Sequence, residues 1–203
     1  MVDIHWALQT YTAATCEPVS STQIHDWLRI STSVTADDDV IDALITVARK
    51  AVEGYTHRSL LVQTFSFTAD AWPSSTAPVK LPVVPLVEST DHLFSITTYD
   101  EDGTASVWST SEYRLDTVSE PGRVMPLDDY EYPTDLRAHD GVLIRFPAGY
   151  SSAAASVDEG LVHAVKCYAA YLYEHRGDDL EGSQGLPPTV KLLLEDYVLP
   201  DVG

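Results

Sequence analysis

The sequence predicts an α+β fold: a small bundle of about four helices with a β-rich antiparallel insertion between the second helix and the third. Three observations predict it. Between Asp39 and Phe67 the hydrophobic period changes from helical to alternating. From 60 to 150 short apolar runs are separated by strong breakers. After 157 the helical period returns.

Residues 1–17 carry no clear period and read as an extended N-terminal arm. Ser20 followed three residues later by Gln23 is the spacing of a capping box and starts a short helix carrying Ile24, Trp27 and Leu28. A second helix runs from about 38 to 56. Thr35 or Asp37 can cap it, and Asp37, Asp38 and Asp39 lie at its positive end. Its apolar residues, Val40, Ile41, Leu44, Ile45, Ala48 and Val52 among them, make a stripe wide enough for two buried sides. Burying six such side chains is worth on the order of 10 kcal/mol before entropy is subtracted. Gly54 to Ser59 is a polar joint, and from Leu61 the period is two, with Gln63, Phe65 and Phe67 opposite Val62, Thr64 and Ser66.

Strands are predicted over 61–69, 79–81, 86–99, 105–108, 113–116 and 141–148, with Asp102-Gly103 as a hairpin turn and Glu120-Pro121-Gly122 as a breaker. Residues 126–140 form a long loop, acidic and aromatic, read either as a contact loop or as a poorly ordered one. A third helix spans about 158–175, with Leu161, Val165 and Ala169 on its apolar face and Gly177 as its C-cap. An acidic linker follows, and Pro187 and Pro188 open a last helix over 189–197. The predicted domains are the arm 1–17, a bundle of 18–59 and 151–203 ending in an arm over 178–203, and the insertion 60–150.

Charge sets this chain apart. It has 31 acidic residues, twenty of them Asp, against 12 basic ones, for a net charge of −19; the only lysines are Lys50, Lys80, Lys166 and Lys191. No basic stripe exists, which argues against sequence-specific DNA binding, because phosphate contacts need Lys and Arg. Two readings of the acidity stay open: a solvated surface, or adaptation to high salt, which screens self-repulsion. The second predicts a melting temperature that rises from low to molar KCl; a flat or falling series excludes it.

No apolar run is long enough to span a membrane, and the N-terminus lacks the basic-then-apolar pattern of a secretory signal. Cys16 and Cys167 read as free thiols. None of the seven histidines has a partner at zinc spacing, and no nucleophile elbow, Walker loop or dinucleotide fingerprint occurs. No metal or cofactor is expected, and nothing argues for an enzyme.

The chain resembles the head–tail connector (adaptor) family of long-tailed phages and related gene-transfer particles. The resemblance covers about residues 17–199. It is carried in order by PVSSTQIHDWLRI (18–30), DDDVIDALITVARKAVEGYTHRSL (37–60), LVQTFSFTADAWP (61–73), LPVVPLVEST (81–90), SEYRLDTVSEPGRV (111–124), IRFPAGY (144–150), VKCYAAYLYEHRG (165–177) and LPPTVKLLLEDY (186–197). The acidity and the loop 126–140 depart from the family pattern.

The resemblance implies a non-enzymatic virion protein of the neck, assembled in the host cytoplasm. It would form a homo-oligomeric ring of twelve copies under the portal, pass DNA non-specifically and receive the tail-completion (stopper) protein. It also implies a portal-contacting arm, with Val190, Leu193, Leu194, Tyr197 and Leu199 as its contact residues. Ile41, Ile45, Val52, Tyr168 and Tyr171 are expected on helix faces turned to neighbouring subunits. The acids would then line the pore, where they do not hold the duplex, or face outward. Two other classes stay open: a soluble enzyme with an acidic site at 128–140, and a monomeric protein-binding module using the C-terminal helix.

Overall fold

The computed structural model describes residues 6–73, 77–88, 91–175 and 185–199. The chain divides into two compact units. One is built on Ala14–Leu61 and Tyr150–Pro200, the other on Val62–Gly149 with the N-terminal segment up to Ala13. Mixed helices and antiparallel sheets agree with the expected α+β class.

The helical unit holds α1 (Ser21–Leu28), α2 (Asp38–Thr56), α3 (Glu159–Glu174) and α4 (Pro188–Leu194). The capping box at α1 is present: Ser20 accepts from Gln23 N, and the Gln23 side chain accepts from Ser20 N. At α2 the expectation fails. Asp37 occupies the N-cap position without a side-chain cap bond. Its carboxylate accepts instead from the Tyr173 hydroxyl at 2.6 Å, which ties the start of α2 to α3. Asp158 caps α3 through Gly160 N at 2.9 Å. Pro187 and Pro188 open α4, which ends earlier than predicted and gives way to a 3-10 turn, Glu195–Tyr197. The expected Gly177 cap lies outside the described residues. One core joins the four helices, with Ile41, Ile45, Val52, Leu161, Val165, Val190 and Leu194 all buried in it.

The second unit has two sheets. Five antiparallel strands run in the order β1-β2-β8-β4-β5, where β1 is Trp6–Thr12, β2 Gln63–Ala69, β4 Ser95–Tyr99, β5 Ala105–Val107 and β8 Val142–Ala148. A smaller sheet runs β3-β7-β6, from β3 (Val79–Lys80), β7 (Arg123–Pro126) and β6 (Tyr113–Asp116). The predicted alternation in β2 holds: Phe65, Phe67 and Ala69 are buried in the core, and Ser66 and Thr68 are half-buried on the other face. Asp102-Gly103 makes the β4–β5 hairpin, with Gly103 at φ 80° and Thr104 N bonded to the Asp100 carboxylate.

Three expectations change. The first residues of the presumed arm form the edge strand β1. The long strand expected over 86–99 shortens to β4, leaving Leu86 a single bridge to Ala148. The stretch after Glu120-Pro121-Gly122 is a strand, β7, paired back on β6 through the Arg123–Asp116 ion pair at 2.7 Å.

The loop 126–140 has no regular secondary structure, yet it is anchored. Tyr132 is 5% exposed, stacks on Trp72 with centroids 4.6 Å apart, and lies 5.7 Å from Trp108. Its hydroxyl donates to the Ala77 carbonyl at 2.9 Å, with that of Val124 at 3.2 Å, and burial pushes its pKa up. The Trp72 indole N–H donates to Pro133 O. Tyr132→Phe is expected to cost about 1–2 kcal/mol in chemical denaturation, since the one hydroxyl hydrogen shared between the Ala77 and Val124 carbonyls is lost at a buried site. An unchanged midpoint would remove the anchor argument.

Candidate assembly surfaces

The residues expected to face neighbours divide sharply by burial. Ile41 and Ile45 are 1% exposed and Val52 is fully buried, so these three belong to the chain's own core, against α3. The stripe on α2 is wide because it includes residues on its rim. Val40 and Val47, on the far side, are 39% and 50% exposed and are the apolar side chains that α2 offers outward. Tyr168 and Tyr171 are half-buried and stacked on one another, and Tyr171 also stacks on His175.

The same correction applies to α4. Val190, Leu194 and Leu199 are buried, because the unit's core takes the apolar face that would otherwise dock elsewhere. Leu199 N also bonds to Thr56 O. What remains outward is Leu193, at 41% exposed, with Leu192 at 70% beside it. Tyr197 is half-buried and its hydroxyl donates to Asp158 at 2.5 Å. Residues 178–184 and 200–203 of the expected arm lie outside the described residues.

The polar joint after α2 is closely bonded. His57 turns the chain at φ 56°. The Arg58 guanidinium donates to Tyr197 O at 2.7 Å and to the Tyr150 hydroxyl at 3.2 Å. Ser59 donates to Leu61 O. Leu60 N donates to Glu53, whose other oxygen accepts from Arg49 at 2.7 Å. Arg49, 5% exposed, also holds Glu17 through Nε at 2.6 Å, and Thr46 donates to the same carboxylate. Burial works against the Arg49 charge, but the bond to Glu17 and the charges of Glu53 and Glu17 outweigh it and hold its pKa above the ordinary value. Sequence reasoning missed this cluster. The one signal for it was Arg49 and Glu53 at i, i+4.

The Tyr197 bond, together with the backbone N–H of Gly160, holds the Asp158 carboxyl below its usual range. The same bond, with the burial and the carboxylate charge, pushes Tyr197 up to about 12. Asp158 is depressed when folded, so its contribution is complete above its unfolded pKa and is lost as the pH falls below that. Tyr197 is raised, so its contribution is complete below its unfolded pKa and is lost as the pH passes about 12. Tyr197→Phe is therefore expected to melt slightly below wild type at neutral pH, by under ~1 kcal/mol because Asp158 is exposed. The two melting temperatures draw together as the pH falls through the range in which Asp158 takes up its proton, and a gap that does not narrow in acid contradicts the assignment.

A groove of about 650 Å³ between α1 and α3 is lined by Glu17, Trp27, Val162, His163 and Lys166, with Trp27 edge-on to His163. In the loop 126–140 the carboxylates of Asp128, Asp129, Glu131 and Asp135 are exposed. Among the described residues no group of three or more His, Cys, Asp or Glu is placed to hold a metal ion. Cys16 and Cys167 are free. No described helix is long and apolar enough to cross a membrane.

Each unit packs its own apolar core and leaves a few apolar side chains exposed, Val40, Val47, Leu192 and Leu193 among them in the helical unit. The comparisons with solved structures place that fold. A chain from the neck of an empty GTA particle computed with C6 symmetry is 23% identical with a TM-score of 0.78. A chain from the virion of a native gene transfer agent particle is 24% identical at 0.78. A chain from the neck of a native GTA particle computed with C12 symmetry is 25% identical at 0.73. Each match covers 97% of this chain and 97% of the other. The chain thus has the fold of neck proteins of phage-like particles, in line with the connector resemblance read from its sequence. No protein-family model and no curated protein matches it.

Proposed function

We propose that this chain is a structural subunit of the neck of a tailed, phage-like particle. Copies form a ring of twelve beneath the portal, join capsid vertex to tail, let DNA pass during packaging and ejection, and receive the tail-completion protein. The observation that carries this is likeness over 97% of both chains to neck chains at TM-scores of 0.73 to 0.78. The C6 and C12 symmetries of those particles support a ring. In this reading the chain is not an enzyme. The acidic surface of −19 suits a channel that does not retain DNA. On α4, the exposed Leu192 and Leu193 replace Val190 and Leu194 as the proposed portal contact, and Val40 and Val47 replace Ile41, Ile45 and Val52 on α2.

The test is to mix the purified chain with the matching portal ring and weigh the product. The expected mass is that of the portal plus twelve copies. A chain that never joins the portal overturns the proposal, whereas a chain that is monomeric in free solution does not, because the portal can template the ring.

A further inference from the structure

The five-stranded sheet stands out against the chain's charge. None of its five strands carries an Asp or Glu, although 31 of the 203 residues are acidic. Acids are scarce in strands in general, but here the scarcity extends to the face turned away from the aromatic core. Register places Gln9, Ser66, Arg145 and Ser95 in one row across that face. Beside the row, Val107 is 73% exposed.

Arg145 is the one cation in these strands. Its guanidinium lies 4.1 Å over the ring of Tyr11, and its Nε is buried with no hydrogen-bond partner among the described residues. A register shift between Thr10 and Thr12 sets Tyr11 out of the ladder, and Tyr11 is 58% exposed. A stacked, half-buried guanidinium without a carboxylate still has N–H groups to donate to one.

The chain also holds matching acceptors. At the tip of the loop 126–140, a turn closed by Tyr130 N to Leu127 O presents Asp128, Asp129, Tyr130 and Glu131 to solvent. Tyr132 fixes that tip from beneath. Three carboxylates and an exposed ring on a rigid anchor lose little freedom on docking.

We propose that the partly exposed face of this sheet, at its Tyr11 and Arg145 corner, receives the acidic loop tip of a second copy, so that Arg145 and Tyr11 of one subunit hold Asp128, Asp129 or Glu131 of the next. The proposal rests on the ring reading and deepens it. The two surfaces differ, so the contact is head-to-tail and propagates around a ring. DNA fits this face less well, because binding a duplex takes several cations and the strands supply one.

The test uses the full-length chain and two variants, Arg145→Glu and the triple variant Asp128→Lys, Asp129→Lys, Glu131→Lys, in sedimentation velocity at rising concentration. Wild type is expected to self-associate. Each variant alone is expected to associate at least tenfold more weakly, and the two mixed are expected to recover, because each then meets its opposite charge on both sides. Melting curves confirm that both fold, and Arg145→Gln serves if Arg145→Glu does not. Arg145→Glu self-associating like wild type, or a mixture that fails to recover, overturns the contact. So does a variant that loses retention of a labelled duplex with its self-association intact, which assigns the face to nucleic acid. If wild type and Arg145→Glu load the portal equally, this contact fails and the neck reading stands; if neither loads it, the neck reading fails.

Discussion

Arg49→Ala is expected to lower stability by about 3–5 kcal/mol, a fall in melting temperature of roughly 10 °C. The cost comes less from lost attraction than from what is left behind. Arg49 is 5% exposed and holds Glu17 and Glu53, whose side chains are 28% and 14% exposed. Without the guanidinium, two carboxylates face each other in a largely dry site. Glu53 also accepts from Leu60 N, so the damage reaches the joint where α2 hands over to β2. Arg49→Lys keeps the charge but loses the fork that reaches both acids, and should fall between. Arg49→Met combined with Glu17→Gln and Glu53→Gln should recover much of the loss, because no buried charge remains unpaired. Thermal melts decide this: a single variant within a degree or two of wild type would show that the cluster is ornamental.

The second large effect separates the two sides of α4. Leu194→Ala is expected to cost about 2–5 kcal/mol, because Leu194 is fully buried among Val190, Leu161 and Leu60 in the helical core. Leu192→Ser with Leu193→Ser is expected to leave the melting temperature nearly unchanged, as exposed positions do. Under the proposed function it also loses attachment to the portal. The pair of measurements is informative together. Attachment that persists in the Leu192/Leu193 variant, with its fold intact, removes α4 from the portal contact. A Leu194→Ala variant as stable as wild type contradicts the packing of α4.

Much of the fold could be read from local signals. The switch of period across Asp39–Phe67, the capping box at Ser20 and Gln23, and the turn at Asp102-Gly103 each depend on a few adjacent residues. The strand β1 could not be read so. Its partner β2 lies more than fifty residues away, and most of its side chains face solvent, so no alternation marks it. Surfaces were harder still. Val40 and Ile41 are adjacent and similar in chemistry, yet one is 39% exposed and the other 1%. The stripe of Ile41, Ile45, Ala48 and Val52 at helical spacing centres on Ile41, but the apolar Val40 and Val47 widen it, so the period alone does not mark where the core stops. Likewise Tyr132 looks like any tyrosine in an acidic loop until Trp72 and Trp108 close on it.

In the proposed function this chain is a ring subunit of a particle neck. Electron cryomicroscopy of particles whose copy of the chain carries a small folded tag at its C-terminus tests this most directly. A ring of extra density at the head–tail junction, one tag per subunit, is expected. Particles with tag density on the capsid shell or along the tail tube, or with none at all, would contradict it.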